Sequence, residues 1–206
     1  MNPIVTIFTM FLSFGFCQVQ AQTQTEKPVS SDFECVLTAS KQMYSLGEVP
    51  ELQVAIVNNS GEDVYLIGSL DGSEEKWRMP FCYYTIEKPQ VDSLDWFGRC
   101  GMMNNLKVED FVQVPSGGSF NPLSKGNGYN FYDSFELRRV ENFRNTGTYK
   151  ITFHYSTNSD NIKDYLGLGL GEKAEGLKSL KTLNKLLMQV PKIELQSNTV
   201  EIEVVE

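Results

Sequence analysis

From Asp32 onward the apolar positions recur with a period of two, the spacing of half-buried strands. Phe33, Cys35 and Leu37 alternate with Glu34, Val36 and Thr38. Leu52, Val54 and Ile56 alternate with Gln53, Ala55 and Val57. The second run stops at Asn58-Asn59-Ser60-Gly61, which is strong turn chemistry. Val64 to Ile67 resumes the pattern, Pro80 to Glu87 forms an aromatic-rich strand, and Phe111 to Val114 closes at Pro115-Ser116-Gly117-Gly118. The clearest alternation is Thr148 to Ser156, with Tyr149, Ile151, Phe153 and Tyr155 on one face and Lys150, Thr152 and His154 on the other. The last is Asn198 to Val205, with Val200, Ile202 and Val204 inward against Glu201 and Glu203. Several short strands separated by turn residues predict an all-β antiparallel sandwich or barrel.

One segment departs from this period. Ala174 to Gln189 is helical in spacing, with Leu180, Leu183 and Leu187 on one stripe and Lys178, Lys181 and Lys185 elsewhere. Pro191 stops it. Lying between the two strongest strands, it reads as a helical insertion at one end of the fold. Its stripe serves either to cover an open end of the core or to bind a partner.

The amino terminus is of a different character. Ile4 to Phe16 is an apolar run without charge, too short to span a bilayer but matching the apolar stretch of a secretory signal peptide. Val19-Gln20-Ala21 predicts cleavage after Ala21. Residues 1–21 are thus expected to be a signal peptide, 22–31 a polar tether and 32–206 a single domain. Acylation of Cys17 in a lipoprotein is the competing reading, although Phe16 stands where a small residue is expected. The mature chain is expected to be exported, to the periplasm or outside the cell, with no transmembrane segment.

Composition adds to the picture in two ways. Thirteen Phe, nine Tyr and two Trp among 206 residues favour pleated, half-buried surfaces. The net charge of −8 falls entirely after the leader, since no charged side chain precedes Glu26. An acidic surface repels phosphate backbones, so nucleic acid is not an expected partner. Of the four cysteines, cleavage removes Cys17 and leaves Cys35, Cys82 and Cys100. Cys35 shares the inward face of its strand. Cys82 and Cys100 flank a loop-rich segment and are the expected disulfide, a closure worth about 3 kcal/mol in the chain-entropy model.

Residues Leu37 to Ser60, with Tyr44, Gly47-Glu48 and the closing Asn-Asn-Ser, resemble the opening of bacterial immunoglobulin-like domains. Val114 to Phe120, Gly147-Thr148-Tyr149 and Ser197 to Val200 resemble a turn and the last two strands of such domains. The resemblance covers about half of the mature chain and implies an immunoglobulin-like antiparallel β-sandwich, not a function. A fainter similarity is to BsuPI-type proteinase-inhibitor domains, which share the alternation.

Little chemistry is written in the chain. His154 is the single histidine, placed on the outer face of a strand, and there is no G-x-S-x-G elbow. Catalysis is not expected, no cofactor is implied, and a small hydrolase would need His154 beside an acid. Gly167-Leu168-Gly169-Leu170-Gly171 lacks the spacing of a phosphate loop. Asn158, Asp160, Asn161 and Asp164 supply oxygen ligands within one loop but miss the EF-hand spacing. Trp77, Phe81, Tyr83, Tyr84, Trp96 and Phe97 gather around the Cys82 to Cys100 segment. Such rings either stack on sugars and anchor a protein partner or form a core under a long loop. The leading expectation is a non-enzymatic binding module for protein or carbohydrate, with Trp77, Tyr83, Tyr84, Trp96 and Phe97 as its surface. The alternative is a protease inhibitor presenting Pro115 to Ser119 to an active-site cleft.

Overall fold

The computed structural model describes residues 32–89, 104–124, 143–167 and 174–206. The leader, the tether, Cys17, Trp96, Phe97, Cys100 and most of the Gly167 to Gly171 run lie outside them. The described chain is mainly β, with one α-helix.

Two sheets share one core. The first is ordered β1 (Phe33–Ala39), β3 (Leu52–Asn58), β7 (Ser119–Phe120). The second is ordered β2 (Met43–Ser45), β10 (Val200–Val205), β8 (Gly147–Ser156), β5 (Phe81–Glu87), with β9 (Glu194–Gln196) also paired to β8. A separate ribbon joins β4 (Val64–Ile67) to β6 (Phe111–Val114). Among the described strands all pairings are antiparallel except that of β2 with β10. β1 packs across β8, β9 and β10, which places the first sheet over the second. The arrangement is compatible with a β-sandwich.

The expected inward faces are the buried ones. Cys35, Leu37, Val54 and Ile56 of the first sheet meet Tyr149, Ile151, Phe153, Tyr155, Ile202 and Val204 of the second. Burying each large apolar side chain stabilises by about 2 kcal/mol, so the alternation itself selects this register. Pairing Tyr84 with Phe153 and Ile86 with Ile151 keeps the large rings of β5 and β8 on one face.

Three short strands were not legible in the periodicity: β2, β7 and β9. Each takes its strand character from a neighbour. Met43–Ser45 lies against Glu203–Val205, and Glu194–Gln196 against His154–Ser156. The helix α1 spans Ala174–Leu187, two residues short of the expected end, because the chain turns at Met188 and Gln189.

Side chains close the strand edges that the sheets leave open. Asn198 lies 161 positions from Leu37, yet its amide accepts Leu37 N–H at 2.9 Å and donates to Leu37 C=O at 3.0 Å, pairing with β1 as a strand would. Glu48 accepts Ser45 N–H at 2.9 Å on the edge of β2 and pairs with Lys41 at 2.6 Å. Tyr155 ties β8 to β4: its hydroxyl accepts Ile67 N–H at 3.1 Å and donates to Ile67 C=O at 2.9 Å.

A second apolar cluster sits at one end of the fold. Leu183 and Leu187 of α1, with Val190, cover Ile67, Leu70, Leu106, Phe111, Ile162 and Tyr165. The helical stripe is thus spent on burial, as a lid over this end of the molecule. Leu180, expected on the same stripe, is only half-buried.

Candidate functional site

The connection from β4 to β5 runs over the end closed by α1 and carries the densest polar chemistry among the described residues. In the structure Asp71, Ser73, Glu74 and Arg78 are buried within it, and Asp110 is buried beside them. Arg78 organises the group. Its Nε donates to Asp71 C=O at 2.9 Å, Nη1 donates to Asn104 C=O at 2.7 Å, and Nη2 is paired with Asp71 Oδ1. Asp71 Oδ2 accepts Asn104 N–H at 3.1 Å. One guanidinium therefore ties two connections together, using the planar fork that lysine lacks.

Asp110 ends a 3-10 turn, Val108–Asp110, and its Oδ2 accepts Lys107 N–H at 2.7 Å. Its other oxygen is buried without a hydrogen-bond partner. Burial pushes its carboxyl up from 3.8 to about 6, against the pull of the Lys107 amide and the charges of Arg78 and Lys107. Gly167 closes the same group: a Cβ there would stand 2.2 Å from the Asn104 carbonyl oxygen and 3.0 Å from Arg78 Nη1. No local pattern marked these residues. A buried Arg–Asp pair reads, in a linear chain, like any solvated loop charge.

The outer face beside this hub carries the aromatic residues. Trp77 is 40% exposed. Tyr83 lies on the outer face of β5, its ring stacked on His154 with centroids 4.6 Å apart and planes 6° apart. Lys76 Nζ stands 3.8 Å from the centroid of the Tyr83 ring. The 4.6 Å stack has no room for an ammonium, so Lys76 and His154 hold opposite faces of Tyr83. Lys76 reaches this position from a left-handed backbone, φ +56°. That conformation costs a non-glycine residue roughly 1 kcal/mol. His154 Nε2 lies 2.5 Å from Thr85 Oγ1. Its pKa is lowered by burial and by Lys76, with Glu194 opposing.

The expected surface residues thus divide. Trp77 is exposed and Tyr83 half-exposed with both ring faces engaged. Tyr84 is buried in the core, edge-on to Phe153. It belongs to the core between the sheets, because residues of β5 alternate faces. Trp96 and Phe97 lie outside the described residues.

Cys82 is a free thiol, fully buried on the inward face of β5, and Cys100, its expected disulfide partner, lies outside the described residues. Strand alternation turns Cys82 into the core, the same face as Tyr84. Burial raises its pKa far above the ordinary thiol value and that of Cys35 to about 12, so both stay protonated and unreactive.

The other candidate loops are self-contained. Pro115 to Gly118 is a tight turn, with Gly118 N–H donating to Pro115 C=O at 2.8 Å. Asn58 holds it from behind through Val114 C=O at 3.1 Å and Pro115 C=O at 3.2 Å. Near Asn158, both carboxylate oxygens of Asp164 accept hydrogen bonds, from Ser159 at 2.5 Å and Asn161 at 3.2 Å. Asn161 Oδ1 accepts Lys163 N–H at 3.2 Å, capping the 3-10 turn Ile162–Tyr165. Among the described residues no cluster of His, Cys, Asp or Glu could hold a metal ion. Among them, too, no helix is long and apolar enough to cross a membrane. No protein-family model, curated protein or solved structure matches the chain.

Proposed function

We propose that the chain is an exported, non-enzymatic binding module on an immunoglobulin-like β-sandwich scaffold. Its recognition surface is the face bearing Lys76, Trp77, Tyr83 and His154, and its ligand is a protein or a carbohydrate. Export rests on the apolar leader Ile4 to Phe16 and the small residue Ala21. One observation carries the site. Lys76 is held in a left-handed backbone against its own preference, with its ammonium over Tyr83, while the next residue turns an indole to solvent. Conformations retained at a local cost concentrate where a surface must present a fixed shape. The buried Arg78 hub supplies the rigid base under this loop, as recognition loops on sandwiches require.

The chemistry fits binding better than turnover. His154 has one ring face on Tyr83 and its Nε2 on Thr85. An exposed indole beside a cation suits a sugar face or an aromatic hot spot on a protein. The test compares wild type with Trp77→Ala in glycan-array binding and in pull-downs from envelope and culture fluid. A partner retained by wild type and lost by Trp77→Ala, at unchanged melting temperature, supports the reading. Equal capture by both proteins sinks it.

A further inference from the structure

We propose that His154 is a proton-operated release for the turn that carries Lys76 and Trp77. Lys76 stays on the Tyr83 ring while the imidazole is neutral and leaves it when the imidazole takes up a proton. That this controls recognition rests on the reading of the face as a binding surface; the release itself does not. Three groups form one stack. Tyr83 of β5 stands opposite His154 of β8 in the strand register, so both rings lie on the same outer face. The imidazole covers one face of the phenol ring, with centroids 4.6 Å apart. The Lys76 ammonium covers the other, 3.8 Å from the centroid.

Protonation changes this stack in two ways. An imidazolium and an ammonium about 8 Å apart across the ring repel each other, and both draw on one π cloud. At an effective dielectric of about 40, between those of a protein surface and water, the repulsion alone weakens the hold of Lys76 about fivefold. His154 keeps its place in either state. It lies between paired strands, opposite Tyr83 of β5 and Gln196 of β9. Its Nε2 stands 2.5 Å from Thr85 Oγ1, and that hydroxyl can donate to a neutral ring or accept from a charged one. Lys76 is the part that yields. Its backbone sits at φ +56°, a conformation that a residue with a Cβ leaves with a gain of stability. Trp77 follows it directly, so a change at Lys76 reaches the exposed indole.

The charges that face the imidazole come from two elements. Burial and then Lys76 lower the His154 pKa from the ordinary 6.5, while Glu194 of β9 opposes them. On its own strand Lys150 lies four residues away and is paired with Glu201 at 3.3 Å. β5 contributes the Tyr83 ring and the Thr85 hydroxyl. The imidazole is therefore uncharged at neutral pH, and the release operates in acid, below pH 6.5. The recognition face is intact at neutral pH and loosened in acid.

The experiment is a proton NMR titration of the full chain. His154 is the single histidine, so its ring protons report its protonation without ambiguity. The Lys76 methylene protons, lying over an aromatic ring, resonate upfield and report docking. From about pH 8 to about pH 4.5 they are expected to move toward their free positions with the midpoint of His154. The Trp77 indole N–H, assigned by its absence in Trp77→Phe, moves at the same midpoint. In His154→Gln the Lys76 signals stay upfield throughout. In Lys76→Met the His154 midpoint rises by the logarithm of the same factor, about fivefold, because coupling between two sites is reciprocal. Lys76 signals that stay fixed while His154 titrates overturn the proposal. So do Lys76 signals that still move in His154→Gln, which would assign the change to another acid such as Asp110, at about 6. A working release in a protein whose Trp77→Ala variant keeps every ligand refutes only the reading of the surface. A silent His154 titration with ligand lost in Trp77→Ala refutes only the release.

Discussion

Asp110→Asn offers a sharp check on the reading of the buried hub. The wild-type carboxyl is raised from 3.8 to about 6 because it is buried with one oxygen unpartnered. In the unfolded chain it ionises near the ordinary value. Between these two values the native state binds more protons than the unfolded state, so stability falls as pH rises through the interval. The contribution of this group is fully present below about pH 3.8 and lost above about pH 6. At about 1.4 kcal/mol per pH unit, the loss is about 3 kcal/mol. Asparagine cannot ionise, yet its Oδ1 can still accept Lys107 N–H, the bond now made at 2.7 Å. The variant is therefore expected to match wild type near pH 4 and to exceed it by about 3 kcal/mol at pH 7.5. Urea unfolding at a series of pH values measures this. With slopes of roughly 1–3 kcal/mol per molar, the midpoint moves by about 1 M or more. Other carboxylates titrate in both proteins, so the difference curve isolates Asp110. Two parallel curves between pH 4 and 7.5 would refute the argument, and a variant less stable at pH 7.5 would do so more strongly.

The remaining predictions concern the ties that hold the site. Arg78→Met leaves Asp71 buried without its cation and is expected to cost about 3–5 kcal/mol, read as a fall in urea midpoint. A loss under 1 kcal/mol would show that the Asp71–Arg78 pair is dispensable. In the double variant Arg78→Met with Asp71→Leu, part of the loss returns, because two apolar groups carry no stranded charge. Tyr155→Phe removes one hydroxyl and strands both Ile67 N–H and Ile67 C=O. Its expected cost is about 1–3 kcal/mol in thermal or urea unfolding, and an unchanged midpoint would mean that water replaces the hydroxyl.

What could be read in the sequence was whatever repeats locally. The alternation at Phe33 to Leu37, Leu52 to Ile56 and Tyr149 to Tyr155 marked which side chains face inward, because a strand repeats every two residues whatever it pairs with. The stripe through Leu183 and Leu187 marked the burial face of the helix for the same reason. Strands without a period of their own stayed hidden: Met43–Ser45 and Glu194–Gln196 are strands because β10 and β8 offer them partners. The fate of polar residues was equally beyond local reading. Asn198 closes an edge 161 positions away, and Arg78 is buried because Asp71 and the Asn104 carbonyl happen to converge on it. The aromatic run from Trp77 to Tyr84 shows the division within one stretch. Its composition announced a cluster, but only the pairing of β5 with β8 sent Tyr84 into the core and left Tyr83 outside, clamped between Lys76 and His154. Facing direction follows from local geometry, whereas burial of a charge or a sheet edge depends on which distant residues arrive to satisfy it.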